Sequence, residues 1–377
     1  MNKTADKKVL IATGGTGGHL FPAQALARSL IKTGSIDVLF AGKGLGSNRC
    51  FHKQEFPFEE ISSASLMTSK PSKLLTSSFT IAKGIKQSLS LIKKFDPDLV
   101  MGFGSFYSFP LICAALMKKV PYVLFEPNAE AGKVNRLFSK WAEVTAIQFA
   151  GVAEKLSGEI LEVSVPLWEK EERKSITEEE ARACFCLDPK KTTILVFGGS
   201  QGAAFINNMF IQAVPNLWKL HKDFQVIHIA GDQDQADMLR RSYDVLGIPA
   251  SVKTFEERMN LAWRAASFVI CRAGAASLAE EIAFEVPGIL IPYPYASDDH
   301  QRKNAQFMEE HVRGAVHLSQ SYLTPEILLE AIKNLVDPVK KELERMRLAI
   351  ADFKASERKA ELTSVIQQIL QDNHVRK

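Results

Sequence analysis

The stretch GGTGGHLFPAQALARSL, residues 14–30, decides the fold. An apolar run, residues 9–12, precedes it and predicts a buried strand; helical spacing follows, at Ala23, Leu26, Ala27 and Leu30. Glycines at this strand-to-helix turn let backbone N–H groups approach a ligand, and the helix N-terminus favours an anion or an oxygen-rich group. Because His19 is the one titratable side chain here, we expect a phosphate- or sugar-facing loop with a proton acceptor. The alternative is a tight turn with a capping histidine.

Length and composition predict a two-domain globular protein. The chain has 377 residues, of which 46% are apolar and 24% charged. The first eight residues are polar and no stretch of eighteen apolar residues occurs, so we expect neither a signal peptide nor a membrane-spanning helix. The five cysteines are odd in number and scattered, which favours buried thiols in a reducing cytoplasm over disulfides.

Charge is distributed unevenly along the chain. Residues 1–160 contain 20 Lys and Arg against 12 Asp and Glu, whereas the remainder contains 27 against 31. This asymmetry indicates two domains with different partners. The basic half suits nucleic acid, a membrane or a phosphorylated ligand.

Strand-like and helix-like segments alternate in both halves. Short apolar runs lie within residues 36–42, 97–106, 120–128 and 142–149, as in a parallel sheet buried on both faces. Residues 192–210 start the pattern again with a strand, a glycine-rich turn and a helix. We therefore predict an α/β protein with two doubly wound domains. The expected divisions are 1–163, 164–338 and a C-terminal helix, 339–377, that packs back toward the first domain.

Familiar nucleotide and metal motifs are missing or explained otherwise. Neither glycine-rich turn matches the dinucleotide fingerprint, and no P-loop is present. Two D-x-D sequences occur, at 96–98 and 232–234; the first leads into a strand and the second is explained by helix capping. We expect no cofactor and no obligatory metal.

Five motifs, taken together, point to a family. They are GGTGGHLFPA (14–23), GFGSFYSFP (102–110), FEPNAEAGKVNR (125–136), FGGSQGA (197–203) and the segment 271–305 that begins CRAGAASLAEE. In this order and spacing they closely resemble the MurG family of N-acetylglucosaminyltransferases. The resemblance implies the GT-B fold, two Rossmann-like domains facing a cleft, with the lipid acceptor on the N-terminal domain and UDP-N-acetylglucosamine on the C-terminal domain. The implied reaction is inverting transfer of N-acetylglucosamine to the C4 hydroxyl of undecaprenyl-diphospho-muramyl-pentapeptide.

The resemblance assigns donor-binding residues in the second half. Ser200, Gln201 and Gly202 would meet the diphosphate, where helix-start N–H groups replace metal charge. Phe255 and the backbone of Glu256 would face uracil, and Glu280 would accept both ribose hydroxyls, which suits a carboxylate. The remaining donor-binding assignments are Ala275, Ala276, Ser277, Leu278, Ala279, His300 and Gln301, with His300 standing where the family has glutamine.

The resemblance also assigns catalytic and acceptor-binding residues in the first half of the chain. His19 is the first candidate for the general base, because a neutral imidazole accepts a proton near pH 7. Glu126 is the rival candidate, and the sequence does not decide between them. Asn128 would contact the transferred sugar, with Thr16, Gly17 and Gly18 lining the same cleft. The expected acceptor-binding residues are Gly102, Gly104, Ser105, Tyr107 and Asn135.

Two stretches depart from the family pattern. Phe125 stands where the family usually has histidine, and Pro127 where it has glutamine. Trp168 replaces an arginine that would pair with the donor phosphate. Two alternatives stay open: a GT-B enzyme with another lipid acceptor, or a weakly active UDP-sugar-binding partner protein, which only the changes at Phe125 and Trp168 support.

A basic segment predicts contact with a membrane. Residues 61–95 contain six lysines and no acidic residue. Ile81, Ile85, Leu89 and Ile92 have helical spacing and are expected to pack on the sheet. Leu74, Leu75, Phe79 and the lysines would then face an anionic surface. We expect a peripheral protein on the cytoplasmic face of the inner membrane, with no nucleic-acid partner.

Overall fold

A computed structural model describes residues 7–65, 71–167, 176–199 and 202–375. The chain divides into two compact units, residues 1–168 with 359–377 and residues 169–358. Each unit is built on one parallel β-sheet with helices on both faces. This confirms the predicted α/β class with two doubly wound domains.

The first unit contains an eight-stranded sheet in the order β14-β7-β6-β5-β4-β1-β2-β3. Its strands are β1 (Lys7–Ala12), β2 (Ile36–Gly42), β3 (Phe58–Glu60), β4 (Leu99–Gly102), β5 (Tyr122–Glu126), β6 (Val144–Ile147), β7 (Ile160–Ser164) and β14 (Ala360–Glu361). Its helices are α1 (Gly17–Lys32), α2 (Pro71–Phe95), α3 (Ser105–Lys118), α4 (Lys133–Phe138) and α13 (Leu362–Val375).

The second unit contains a six-stranded sheet in the order β10-β9-β8-β11-β12-β13. Its strands are β8 (Thr192–Phe197), β9 (Phe224–Ile229), β10 (Ala250–Lys253), β11 (Phe268–Cys271), β12 (Gly288–Leu290) and β13 (Ala315–His317). Its helices are α5 (Glu178–Cys184), α6 (Ala204–Leu220), α7 (Gln233–Leu246), α8 (Met259–Ala265), α9 (Ala275–Phe284), α10 (His300–Phe307), α11 (Pro325–Val336) and α12 (Glu342–Ser356).

The apolar runs of the sequence form the centres of both sheets. The central strand β1 pairs with β2 on one side and β4 on the other, and its last four residues, 9–12, are completely buried. The central strand β8 pairs with β9 and β11 in the same way. Strands covered by helices on both faces bury nearly every side chain, which explains their continuous rather than alternating apolar pattern.

The C-terminal segment differs from the prediction. The single helix expected over residues 339–377 is wrong, because the helix breaks after Ser356 and residues 360–361 pair with β7. Helix α12 belongs to the second unit and α13 to the first, where Leu362, Ile366 and Leu370 join the core around α1. The part expected to pack toward the first domain is therefore α13 alone. The predicted division at 163 falls inside β7, which completes the first sheet.

The five cysteines are all free thiols. Cys50 and Cys271 are buried, whereas Cys184 and Cys186 are exposed. The prediction of buried thiols therefore holds for only part of the set. In the described part of the chain, no helix has the length and apolar character to cross a membrane.

Candidate active site

Each sheet has a topological switch point. There the connections that leave two neighbouring strands lead to opposite sides of the sheet, so the strand order reverses. In the first unit it lies between β1 and β4, and in the second between β8 and β11. Ligands of doubly wound proteins bind outside the carboxyl ends of the strands at such a point. The predicted site motifs follow these four strands, together with the adjacent strand β5. Each unit is described by itself.

The turn after β1 packs against an aromatic ring. A Cβ atom at Gly14 would lie 2.9 Å from Cγ of Tyr107, and one at Gly15 would lie 2.6 Å from its Cε2. Gly15 also has a φ of +84°, which disfavours any other residue. Asn48 Nδ2 donates to the Gly15 carbonyl oxygen at 2.6 Å. Gly14 and Gly15 therefore make room for Tyr107, and this contact holds the turns after β1 and β4 together.

His19 lies in the first turn of α1, directly after Gly17 and Gly18. Its backbone N–H donates to the Thr16 carbonyl oxygen at 3.1 Å, and the Thr13 hydroxyl donates to the His19 carbonyl oxygen at 3.4 Å. The His19 side chain is half-buried and Thr16 is exposed. The ring is therefore not part of the core, although its Nδ1 atom is buried.

Glu126 ends β5 in a different environment. Its side chain is 2% exposed. One carboxylate oxygen accepts from Asn128 N and Nδ2, at 3.1 and 3.2 Å. The other accepts from Gly132 N at 2.8 Å and Asn135 Nδ2 at 2.9 Å. Burial raises the pKa of Glu126, and these four hydrogen bonds act in the opposite direction.

The contacts of Glu126 indicate that it organises the loop between β5 and α4. Both of its oxygens are engaged inside the protein, so protonating it would weaken the bonds that shape that loop. As a candidate base it is less accessible than His19. The choice between His19 and Glu126 as the general base stays a prediction.

The expected acceptor-binding residues form a packed group beside this loop. Gly104 has a φ of +72° and Ser105 a φ of +63°. A Cβ atom at Gly102 would lie 2.9 Å from Cδ1 of Ile112. Asn135 is almost completely buried and also donates from Nδ2 to the Phe125 carbonyl oxygen at 3.1 Å. The Asn135 side chain therefore supports the loop, and its contact with an acceptor stays a prediction.

The departure at Phe125 lies in the core. Its ring is buried and packs edge-on against Phe103, with the ring centroids 5.4 Å apart. The side chain at this position therefore stabilises the sheet.

Trp168, Ser200 and Gln201 lie outside the described residues.

In the second unit, too, backbone turns approach each other closely. A Cβ atom at Gly198 would lie 2.1 Å from Ala203 N, and one at Gly202 would lie 2.8 Å from Cα of Gly231. Gly202 has a φ of +73°. The turn after β8 is thus pressed against the turn after β9, and Ala204 begins helix α6 directly behind it.

Two residues that the sequence analysis did not single out hold the turn after β11. Arg272 is buried, and its Nη1 donates to the carbonyl oxygens of Ile291 and Pro292 at 3.0 and 3.1 Å. Burial lowers the pKa of Arg272 to about 10. Asn304 Nδ2 donates to the Ala273 carbonyl oxygen at 3.0 Å. Arg272 is a charged residue directly after the apolar strand β11, whereas Asn304 lies in a polar helix and gives no such signal. The partners of both residues are distant in the chain.

Helix α9 begins at this turn and contains residues 275–280 of the predicted donor site. Glu280 is partly exposed. Glu281 is 0% exposed, and a Cβ atom at Gly288 would lie 2.3 Å from its Oε1. Neither Glu281 oxygen has a hydrogen-bond partner among the described residues. Burial raises the pKa of Glu281 well above its usual range. Of the two neighbours, only Glu280 is accessible to a ribose.

Of the other predicted donor-binding residues, Phe255 and Glu256 follow β10, whereas His300 and Gln301 begin helix α10. Glu256 is buried, accepts from Arg258 N at 2.8 Å and pairs with Lys253 Nζ. Gln301 Oε1 accepts from Tyr293 N at 2.9 Å, and His300 Nδ1 lies 2.7 Å from the Ser297 carbonyl oxygen. These bonds shape the loops in which Phe255, His300 and Gln301 stand, and their contacts with a nucleotide sugar stay predictions.

One aspartate of each D-x-D sequence has a structural partner. Asp232 caps α7 by accepting from Gln235 N at 2.9 Å, as predicted. Asp98 accepts from Lys8 N at 2.9 Å and pairs with Lys7 Nζ at 3.3 Å. Within the described ranges no three His, Cys, Asp or Glu side chains cluster as metal ligands would.

Two Rossmann-like units, with glycine-rich turns at both switch points, define a glycosyltransferase of the GT-B class. Comparison with protein families agrees. The model of the glycosyltransferase family 28 N-terminal domain matches residues 9–147, and that of its C-terminal domain matches residues 193–365. The chain belongs to glycosyltransferase family 28 and, within it, to the MurG family.

Individual relatives support this membership. A UDP-N-acetylglucosamine--N-acetylmuramyl-(pentapeptide) pyrophosphoryl-undecaprenol N-acetylglucosamine transferase of Protochlamydia amoebophila is 44% identical over 92% of both chains. A protein of the same name from Chlamydia pneumoniae is 35% identical over 91% of this chain and 93% of its own. The crystal structure of Acinetobacter baumannii MurG matches with a TM-score of 0.72 and 26% identity, covering 97% of this chain and 99% of that one. The predicted resemblance is confirmed.

Replacing Glu281 by Leu is expected to stabilise the second unit at neutral pH. The folded state holds a buried carboxyl whose pKa lies above its unfolded value, so folding binds a proton and stability falls as pH rises above about 4.3. The Leu variant should gain about 1–3 kcal/mol at pH 7–8, and the gain should shrink as pH approaches the unfolded pKa. Urea unfolding at several pH values measures this. Glu281→Gln should remove this pH dependence of the free energy of unfolding, whereas Glu280→Gln should preserve it. If the free energy of unfolding depends on pH equally in wild type and the Leu variant, the prediction is wrong.

Proposed function

We propose that this chain transfers N-acetylglucosamine from UDP-N-acetylglucosamine to the C4 hydroxyl of undecaprenyl-diphospho-muramyl-pentapeptide, with inversion at the anomeric carbon. The observation that carries the proposal is 44% identity to the Protochlamydia amoebophila transferase over 92% of both chains. The match spans both units, so it includes the motifs at both switch points. Turnover of these two substrates by the purified chain is the direct test.

The donor is proposed to bind the second unit. Helix-start N–H groups behind the turn at Gly202 would meet the diphosphate. The partly exposed Glu280 would accept hydrogen bonds from the ribose hydroxyls, and Phe255 with the backbone of Glu256 would face uracil. No divalent ion is needed in this proposal, since backbone dipoles supply the positive potential.

The acceptor is proposed to bind the first unit, with His19 as general base. His19 would take the proton of the C4 hydroxyl as that oxygen attacks the anomeric carbon, while UDP leaves with the bonding electrons. Glu126 would act indirectly, by holding the loop that presents Asn128. This division of roles follows from the accessibility of His19 and the four internal hydrogen bonds of Glu126.

The two alternatives predict different results in the same assay. A GT-B enzyme for another lipid would hydrolyse or use UDP-N-acetylglucosamine but ignore the muramyl acceptor. A binding partner would retain UDP without turnover. The core position of Phe125 removes one of the two sequence features that suggested weakened catalysis.

Helix α2 supports a proposal of peripheral membrane contact. Leu75 and Phe79 are each 75% exposed, and Lys83 and Lys86 are exposed as well. Ile92 on the other side of the helix is buried in the core, as predicted from the helical spacing. We call the four exposed residues the basic apolar face. Apolar side chains enter the interface and lysines attract anionic headgroups, so the proposed location is the cytoplasmic face of the inner membrane.

Glu280→Ala is expected to raise the KM for UDP-N-acetylglucosamine, because the ribose hydroxyls lose a charged acceptor. Loss of such a bond costs about 1.5–3 kcal/mol, or roughly 10–150-fold in KM. Initial rates against donor concentration measure the effect. The matched control is Glu281→Gln, the neighbouring buried residue, which should leave KM unchanged. The opposite pattern would show that the alignment is one residue out of register.

His19→Ala is expected to lower kcat by roughly 10²–10⁴-fold through loss of the general base. Donor affinity, measured by calorimetry with UDP, should be preserved because His19 lies in the other unit. His52→Ala, an exposed histidine of the same unit, is the control. A kcat near the wild-type value would assign the proton to another group or to water.

Removing the basic apolar face is expected to release the protein from anionic vesicles. Lys83→Gln with Lys86→Gln should weaken binding by about 2 kcal/mol, or roughly 30-fold, and Leu75→Ser with Phe79→Ser should weaken it further. Sedimentation with phosphatidylglycerol-containing vesicles, against phosphatidylcholine alone, measures this at low and high salt. Leu220→Ser with Val245→Ser, two exposed apolar residues of the second unit, is the control. Unchanged sedimentation of the α2 variants would place the docking surface elsewhere.

A further inference from the structure

A buried histidine lies in the second unit outside the residues assigned to the reaction. His228, in β9, is 0% exposed. Its Nδ1 lies 2.8 Å from the Tyr243 hydroxyl of α7, and its Nε2 lies 3.1 Å from Oδ1 of Asn207 in the first turn of α6. Burial lowers the pKa of His228 to about 3, so the ring is neutral at physiological pH. A neutral ring has one N–H donor and one acceptor.

The hydrogen-bond partners of Asn207 determine which atoms donate and which accept in this network. Asn207 Nδ2 donates to the Ala230 carbonyl oxygen at 3.0 Å and to Gln235 Oε1 at 3.1 Å. Both partners are acceptors, which fixes the amide orientation and leaves Oδ1 of Asn207 facing the histidine. His228 must then donate from Nε2, and its Nδ1 accepts from the Tyr243 hydroxyl. The relay therefore runs from Tyr243 through His228 to Asn207 and ends on Ala230.

Ala230 stands between two loops of the proposed donor site. A Cβ atom at Gly202 would lie 3.1 Å from the Ala230 carbonyl oxygen and 2.8 Å from Cα of Gly231. On the other side, Gly231 N donates to the Thr254 carbonyl oxygen at 3.0 Å, next to Phe255. A shift of the 230–231 peptide would thus displace both the proposed diphosphate turn and the proposed uracil loop.

We propose that Tyr243, His228 and Asn207 are positioning residues that set the donor loops for UDP binding. The proposal rests on the donor role proposed for the second unit. The three side chains do not touch the reacting atoms. They hold the Ala230–Gly231 peptide in place, so their loss should weaken donor binding more than the chemical step. Fully satisfied buried polar networks act in this way because each member restricts the orientation of the next.

The experiment compares UDP affinity, KM, kcat and thermal stability in a series of variants of the full chain. His228→Leu should raise the Kd for UDP and the KM for UDP-N-acetylglucosamine about 10–100-fold, with kcat at saturating donor within about twofold of wild type. Tyr243→Phe, which removes one oxygen, should raise both constants about 3–10-fold. His228→Gln should recover part of the affinity, since its amide can still donate to Asn207. The ¹⁵N spectrum of the wild-type histidine should show a protonated Nε2.

Gln225→Leu is the matched control. Gln225 is equally buried in the same strand, and its side chain makes three hydrogen bonds, to Asp188 N, Asp188 O and Thr193 Oγ1. It lies at the amino end of β9, away from the donor loops. The Gln225→Leu variant should lose thermal stability, as His228→Leu does. Its Kd for UDP and its KM for UDP-N-acetylglucosamine should be unchanged.

The possible results distinguish a failure of the relay proposal from a failure of the proposed donor-binding function. If wild type fails to bind UDP, the proposed donor role itself is overturned, and the relay with it. If wild type binds UDP and His228→Leu binds it as tightly, the relay proposal alone fails. If Gln225→Leu weakens UDP binding to the same extent, general destabilisation explains the effect and the proposal also fails. Should His228→Leu not fold, Tyr243→Phe decides: an unchanged Kd overturns the relay.

Discussion

The candidate site depends on the approach of backbone turns to within van der Waals distance at the carboxyl edge of each sheet. Tyr107 rests on Gly14 and Gly15, and the turn at Gly202 rests on Gly231, with no room for a Cβ atom between them. Glycine is required here by its neighbours as well as by its own φ angle. Helices α1 and α6 begin directly after these turns, and a helix N-terminus suits an anion. Binding of an anionic donor at the second of these turns stays a proposal.

The loops at these edges also contain buried polar side chains with several hydrogen-bond partners, Glu126 in the first unit and Arg272 in the second. A buried polar group is stable only when its hydrogen bonds are made, so it admits few loop conformations. Glu281 is the contrast, since it is buried without partners among the described residues and is proposed to reduce stability.

The division of the chain explains how the last forty residues are used. Helix α12 stays with the second unit, and Lys354 Nζ pairs with Glu285 there at 2.6 Å. The chain then pairs with the edge strand β7, and Lys359 Nζ donates to the Gln148 carbonyl oxygen at 2.6 Å. Helix α13 finally contributes apolar side chains to the core around α1. Each unit thus depends on residues from distant parts of the chain.

The sequence by itself determined the α/β class, the tandem of two doubly wound units, the buried central strands and the family, because apolar runs and glycine-rich turns are local patterns. It also determined that Asp232 caps a helix, since capping involves residues three positions apart. It did not reveal the break between α12 and α13, because a two-residue strand is stabilised only by its partner in the sheet. Nor did it reveal the internal hydrogen bonds of Glu126 and His228, or the bonds by which Arg272 and Asn304 hold the turn after β11. Only the tertiary structure decided these, since a polar side chain becomes accessible or structural according to partners that the chain supplies from far away.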